Sequence, residues 1–499
     1  MENKIEKLWT EIMGGQQVRQ NLSKIRELIK EEKNYKRAVE LISGYSLFLE
    51  KLLEDRDAKI RKNTILLIGD LGLREMKTFL WEAYTKEETL FIRSAYLMAM
   101  KKIGTGSSIK NLKEREESLR KKEWEEENKK HITEELRQLR SLIIEMEGIK
   151  KHRFCDTKEK SEVILLANRK HLPEILEEIK KLPDITTSSA KLMQAGIRLH
   201  TNMVGQLFQV RTWTEMLFLV PGMKTCTMDA REAAKRIGES SLLEFLGKRH
   251  REGGPYYFRV EVKSEKVDKI KFIKKFVDEL EQISAFQLIN SPSHYEFEIR
   301  LVENKEGKFN IMVKLYTMED ERFSYRKEVI ASSIRPVNAA LLALLSEKYL
   351  LEEARVLDPF CGVGTMLIER NKKVKADTLY GVDILEEAVK KGRQNADRAG
   401  VPIHFINRDF FSFSHEYPFD EIFTNMPFVQ GGKTAFDIYD IYEKFFDKVP
   451  EVLCKGGKLI LYSHDKNILE KQAEKRGYKI LEKIVINVKE DSWLYILEW

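Results

Sequence analysis

Asp358-Pro359-Phe360-Cys361-Gly362-Val363-Gly364-Thr365 is the stretch on which the reading of this 499-residue chain turns. An apolar run, Ala354 to Leu357, leads into it, and an amphipathic helical pattern, Met366-Leu367-Ile368-Glu369-Arg370, leads out. Strand, glycine-bearing turn and helix in that order describe one α/β unit, in which ligands sit at the carboxyl ends of strands. Gly362 and Gly364 permit a tight turn and a close ligand approach. Asp358, at the strand end, can accept hydrogen bonds from an ammonium or hydroxyl group. A lone G-x-G is a weak signal. A dinucleotide fingerprint fits less well, because the third Gly of G-x-G-x-x-G would fall at Leu367.

Three further strand ends add weight. Leu379-Tyr380-Gly381-Val382-Asp383-Ile384 is a short strand ending in an acid, 383 − 364 = 19 residues after the second Gly. That spacing suits a carboxylate gripping both ribose hydroxyls of a nucleoside cofactor. A helix pattern, Glu386 to Gly400, follows, with Gly400 as its stop signal. Pro402 to Ile406 is the next strand, running to Arg408-Asp409-Phe410, where Asp409 can meet an adenine amino group with Phe410 beside the ring. Glu421-Ile422-Phe423-Thr424 ends in Asn425-Met426-Pro427-Phe428.

Together these four strand ends resemble class I S-adenosylmethionine (SAM)-dependent methyltransferases. Asn425-Met426-Pro427-Phe428 is similar to the Asn/Asp-x-Pro-Phe/Tyr motif of enzymes that methylate exocyclic or amide nitrogens. The resemblance implies a C-terminal Rossmann-like domain, residues 323–499, with a seven-stranded sheet closed by an antiparallel hairpin. It assigns SAM to Asp358, Phe360, Gly362, Gly364, Thr365, Asp383, Ile384, Asp409, Phe410 and Asn425, and catalysis to Asn425, Met426, Pro427 and Phe428. The plainer alternative is an ordinary doubly wound domain with a Gly turn. Cys361 sits in the cofactor loop, and no Cys occupies the fourth motif, so covalent C5 chemistry is not indicated.

Upstream, Arg326 and Ile334-Arg335-Pro336 are similar to the stretch that opens the catalytic domain in THUMP-type RNA methyltransferases and helps close the cofactor pocket, which puts Arg335 at the cofactor. Arg335 as a simple surface cation is the alternative. Residues 151–225 and 226–322 resemble, in order, that family's ferredoxin-like and THUMP domains, best at Arg211-Thr212-Trp213 and Tyr257-Phe258-Arg259-Val260. The implied substrate is the exocyclic N2 of a guanosine in tRNA. The chain departs from the family pattern at Val429, where Gly is expected, and in the delay of the basic residue to Lys433. Ribosomal RNA, DNA adenine and protein glutamine remain alternative targets, and a catalytically silent RNA-binding scaffold is the reading of another class.

Lys248-Arg249-His250-Arg251-Glu252-Gly253-Gly254 is the most basic short stretch. Lys248, Arg249, Arg251 and Lys433 are the candidate nucleic-acid contacts, against the alternative of an exposed loop before a strand.

The N-terminal 107 residues read as all-helical. Ile60 to Gly72 overlays Ile92 to Gly104 at an offset of 92 − 60 = 32, each copy a helix with an early Ile-Arg pair and a terminal Gly. This resembles short HEAT-type repeats, which stack helix pairs and usually present a binding surface, here for a protein or RNA partner. A plain helical bundle is the alternative. Residues 108–150 alternate charge at helical spacing and then carry the stripe Leu136, Leu139, Leu142, Ile143, Met146, so one long solvated helix is expected as a linker.

A net charge of +7 gives minor support to a nucleic-acid partner. The four cysteines form no C-x-x-C pair, which argues against a zinc site or a disulfide scaffold and makes a reducing cytoplasm the simple reading. No metal is expected. The N-terminus has no apolar signal core, and no apolar run approaches the ~18 residues a membrane span needs.

Overall fold

This computed structural model describes residues 4–122, 124–148, 152–157, 159–183, 190–429 and 434–499. The chain divides into two compact units, Met1–Lys150 and Lys151–Trp499.

The first unit is helical: α1 (Lys4–Met13), α2 (Val18–Leu28), α3 (Glu32–Ile42), α4 (Ser46–Leu53), α5 (Ala58–Leu71), α6 (Lys77–Lys86), α7 (Leu90–Ile103), α8 (Ile109–Lys121) and α9 (Glu126–Glu147). The internal repeat is visible as α5 and α7, each 14 residues long with starts 90 − 58 = 32 apart. They approach closely: a Cβ on Gly69 would lie 2.8 Å from Ala99 Cα. The expected single linker helix over 108–150 is instead two helices that belong to this unit. Some of its charges pair between helices and are buried, while others, such as Lys110 and Arg137, remain exposed. Fully buried Glu135 accepts from Tyr84 Oη at 2.7 Å and Arg115 Nη2 at 2.9 Å, and buried Arg140 donates to Glu116 at 2.7 Å. Leu136, Leu139 and Leu142 are buried as the stripe implies.

The second unit opens with β1 (Ser161–Ala167), α10 (Leu172–Lys180), β2 (Lys191–Leu192), β3 (Gly196–Thr201), β4 (Trp213–Leu219), β5 (Thr225–Cys226), α11 (Ala230–Gly238), α12 (Leu242–Lys248), β6 (Tyr256–Lys263), α13 (Lys269–Ile283), β7 (Leu288–Asn290), β8 (Phe297–Glu303) and β9 (Phe309–Leu315). The strands form one nine-stranded sheet, ordered β2-β3-β1-β4-β9-β8-β6-β7 with β5 on β9. The expected boundary at 225/226 therefore falls inside β5, and strands from both sides share a sheet through Phe218 and Val313. A single core joins them, including Ile175, Leu199, Phe218, Phe258, Phe276 and Phe309.

The remainder comprises α14 (Pro336–Leu345), β10 (Arg355–Asp358), α15 (Thr365–Lys373), β11 (Thr378–Asp383), α16 (Glu386–Ala399), β12 (His404–Asn407), β13 (Phe419–Asn425), α17 (Ala435–Val452), β14 (Leu453–Ser463), α18 (Lys466–Lys475), β15 (Lys479–Asn487) and β16 (Ser492–Glu498). The sheet order is β12-β11-β10-β13-β14-β16-β15. The first five strands are parallel, and β16 and β15 close the sheet antiparallel, as expected. Chain direction across the sheet reverses between β10 and β13, which opens a crevice at their carboxyl ends. Pro336 starts α14, where its missing N–H is not needed.

The two sheets are tied together. Arg211, just before β4, makes a bidentate ion pair with the fully buried Glu369 of α15, at 2.7 and 2.8 Å, and Tyr325 Oη donates to the same carboxylate at 2.6 Å. The helix that begins at the glycine turn is thus anchored to the nine-stranded half.

Candidate active site

Asp358 ends β10 with no exposure. Its Oδ1 accepts from Thr424 Oγ1 at 2.6 Å and from the Phe360 amide at 3.1 Å. Its Oδ2 is equally buried and has no partner. Burial, with the Asp383 charge nearby, pushes this carboxyl up to about 7 against the pull of those two hydrogen bonds.

The turn then needs its glycines. Gly362 adopts φ 51° and Gly364 φ 79°, both left-handed. A Cβ on Gly364 would also meet Phe405 at 2.8 Å. The Gly362 amide donates to Asp383 Oδ2 at 2.9 Å, so the first strand end is bolted to the second. Asp383 Oδ1 accepts from the Leu385 amide at 2.9 Å, and the exposed side chains of Ile384 and Leu385 put an apolar surface beside it. Thr365 Oγ1, in the first turn of α15, is buried without a partner. Cys361 is a packing residue: it is buried, and burial pushes its thiol well above the ordinary range.

Asp409 caps the short turn Phe410–Ser412, accepting from the Phe411 amide at 3.1 Å. Phe410 departs from expectation. It is 2% exposed and packs against Phe360 and Phe445 at 5.8 and 6.0 Å, so it supports half-buried Phe360 from the core instead of offering a free ring face. Arg335 is exposed at the start of α14. Arg326 donates to the Ile334 carbonyl at 3.0 Å, while its Nε is buried without a partner. Burial, its largest influence, holds that guanidinium below its ordinary value.

On the other side of the crevice, Asn425 ends β13 with its Oδ1 buried and unpartnered. The Met426 side chain is fully buried, and its amide donates to the Tyr462 carbonyl at 2.9 Å. Half-buried Phe428 lies 4.6 Å from the His464 ring.

Sequence reasoning missed three residues here. Thr424 bonds Asp358, and its place directly before Asn425 was a usable signal. Asn395 is fully buried on α16; it donates to the Glu328 and Val363 carbonyls at 2.9 and 3.4 Å and accepts from the Glu328 amide at 3.1 Å. It therefore clamps the segment before α14 to the glycine turn, and a polar residue among the buried Ala388, Val389, Gly392 and Ala396 is the pattern that marks it. His464 carries no local motif.

The basic stretch after α12 is largely self-satisfied. Lys248 pairs with Glu159 and Glu244, both at 2.8 Å. Arg249 is a correction: it is 4% exposed, its guanidinium lies 4.1 Å over Phe245, and it donates to Ser161 Oγ at 2.8 Å, so no phosphate can reach it. Arg251 is exposed. Lys433 lies outside the described residues. Among the described residues, no group of three or more His, Cys, Asp or Glu is placed to hold a metal ion. Likewise no described helix is long and apolar enough to cross a membrane.

Residues 324–495 match the family model described as the RMKL-like methyltransferase domain. The chain is 28% identical over 149 residues to the tRNA (guanine(10)-N2)-dimethyltransferase of Pyrococcus abyssi, covering 29% of this chain and 44% of that protein. It is 24% identical over 261 residues to the ribosomal protein L11 methyltransferase of Thermotoga maritima, covering 50% and 91%. The chain spans half or less of the first curated relatives it matches. Among solved structures, TrmN from Thermus thermophilus superimposes with a TM-score of 0.52 at 19% identity, covering 68% of this chain and 99% of that one. SMU.472 complexed with SAH gives 0.53 at 14%, covering 69% and 99%. Each of these two shares the fold over about two thirds of this chain. The half that holds residues 324–495 has a class I methyltransferase-like fold, and the cofactor that such a fold takes is SAM.

Proposed function

We propose that this chain is a SAM-dependent RNA methyltransferase that modifies the exocyclic N2 of a guanosine in tRNA. The observation that carries the reading is the pair of open, buried acceptors at the carboxyl ends of adjacent strands: Asp358 Oδ2 at the end of β10 and Asn425 Oδ1 at the end of β13. A buried acceptor without a donor is costly unless a ligand supplies one.

The residues fit the cofactor. Asp358 Oδ2 is free to accept from its ammonium group, Asp383 retains lone pairs for ribose hydroxyls, and Ile384 offers an apolar face to the adenine. When bound, SAM supplies an electrophilic methyl group on a sulfonium. The chain's task is to aim a weak nucleophile, since the lone pair of an exocyclic amine is delocalised into its ring. Asn425 Oδ1 and the Met426 carbonyl can accept the two amine hydrogens. That localises the lone pair on nitrogen and points it at the methyl group, an effect of positioning. Pro427 stiffens the turn, and Phe428 stacks on a base splayed from the RNA. Once methylated, the amine would carry a positive charge and lose a proton to water, so no strong base is required of the chain.

The resemblance to THUMP-type enzymes supports an RNA-binding role for the nine-stranded half as one unit. Residues 1–107 are proposed as HEAT-like repeats that recruit a partner. The test is incubation of the purified chain with methyl-labelled SAM and total RNA lacking modifications, followed by digestion to nucleosides. N2-methylguanosine in the tRNA fraction is expected. Label in ribosomal RNA or another nucleoside would move the substrate. Label confined to DNA or protein would overturn the RNA reading. Failure to bind SAM would leave a silent scaffold.

A further inference from the structure

The end of β14 runs beside the end of β13. Asn425 faces Tyr462 across the parallel ladder, and the Met426 amide bonds the Tyr462 carbonyl. The residues after Tyr462 therefore flank Pro427 and Phe428, and the His464 ring against Phe428 shows it directly.

Asp465 is the next residue. Its amide donates to Ser463 Oγ at 2.9 Å, and Ser463 Oγ lies 2.8 Å from the hydroxyl of fully buried Tyr442. This fixes the backbone at Asp465. The side chain is not used in the ordinary way. Asp465 occupies the N-cap of α18, where an aspartate normally accepts from the first free helix amides, and it makes no such bond. Its Oδ2 is buried and has no hydrogen-bond partner. Among the described residues, two aspartates leave a buried oxygen open in this way, Asp358 and Asp465. The first serves the cofactor side of the crevice. The second stands at the strand end beside Asn425-Met426-Pro427-Phe428.

A carboxylate only accepts hydrogen bonds. The Watson–Crick edge of guanine presents two adjacent donors, N1–H and the N2 amine. Adenine presents its amine beside N1, a bare acceptor that a carboxylate repels. We infer that Asp465 is a specificity-determining residue that accepts the N1–H of the target guanine while Asn425 holds the N2 amine. This rests on the guanosine reading proposed above and supplies what Asn425 alone lacks, since an amide oxygen accepts from either purine amine.

The test begins by mapping the nucleotide that the wild-type full-length chain methylates. RNAs are then made with guanosine or 2-aminopurine at that position. 2-Aminopurine keeps the N2 amine but has an unprotonated N1. The wild type should prefer guanosine by at least about 100-fold in kcat/KM, because the wrong base leaves a buried polar group unpaired. Asp465→Asn, whose amide can either accept from N1–H or donate to a bare N1, should narrow the preference to within about tenfold, with SAM affinity by calorimetry unchanged within about twofold. Asp465→Ser can still cap α18 and should lose guanosine activity. If Asp465→Asn keeps the guanosine preference, or Asp465→Ser keeps full activity, the role assigned to Asp465 is wrong while the guanosine reading stands. If the wild type methylates adenosine, both fall together.

Discussion

Two loops stand out in this sequence by residue type, the glycine turn after β10 and the basic loop after α12, and the structure treats them in opposite ways. At the turn, Asp358 Oδ2, Thr365 Oγ1 and, across the crevice, Asn425 Oδ1 are buried and left open. In the basic loop, the exposed Arg251 apart, the groups are bonded to their neighbours. Lys248 holds two glutamates, Arg249 holds Ser161, and His250 bonds the Leu246 carbonyl and Thr317 Oγ1, both at 2.8 Å. A fold can satisfy polar groups internally, and where it buries them unsatisfied it tolerates a cost that a ligand can remove. Charge density does not distinguish the two cases. Open valence does.

The largest expected effect follows from removing one open acceptor. Asn425→Ala should lower kcat by about 10²–10³-fold, the range typical of deleting one aligned hydrogen-bonding group, with SAM affinity by calorimetry nearly unchanged. Full turnover in that variant would break the link between open valence and catalysis. Asp358 should show itself through pH. In the free protein it titrates near 7, and a bound ammonium favours its ionised form. SAM affinity should therefore weaken as pH falls below about 7, approaching tenfold per pH unit, and Asp358→Ala should bind weakly with no such slope. Stability runs the other way. The folded-state value lies above the ordinary 3.8, so the group favours folding most at low pH and that contribution is lost as pH rises through about 7. Asp358→Asn should flatten this part of the stability profile in the absence of cofactor, measured by denaturant titration at a series of pH values.

The strand ends of the catalytic half were legible because each rests on local chemistry: an apolar run, a residue that must turn left-handed, an acid at a fixed distance; the antiparallel close of the sheet followed only from the resemblance those ends carry. Asp358, Gly362, Gly364 and Asp383 converge for that reason. Phe410 was misjudged because a ring beside an acid looks the same in sequence whether it faces a ligand or fills a core. The 108–150 segment was misjudged because alternating charge at helical spacing does not say whether the partner of Glu135 is water or Tyr84 and Arg115. His464 and Asp465 could not be placed from sequence, since their relation to Phe428 exists only through the pairing of β13 with β14. The 225/226 boundary failed similarly: sheet continuity between β4 and β9 is a long-range fact.

The basic loop gives the smallest effect and the sharpest check on the comparison. Lys248 is exposed and already paired, and surface ion pairs contribute little. Lys248→Ala should leave stability nearly unchanged and shift the slope of log RNA affinity against log salt by less than about one unit. Arg249→Ala should do something different in kind. It removes a buried guanidinium that packs on Phe245 and bonds Ser161, so a destabilisation of about 1–3 kcal/mol is expected by denaturant titration. Under conditions where the variant remains folded, its salt slope should match the wild type. A drop of about one unit in that slope for Arg249→Ala, with stability intact, would mean that RNA reaches a side chain the fold encloses, and the distinction between satisfied and open valence would lose its predictive value here.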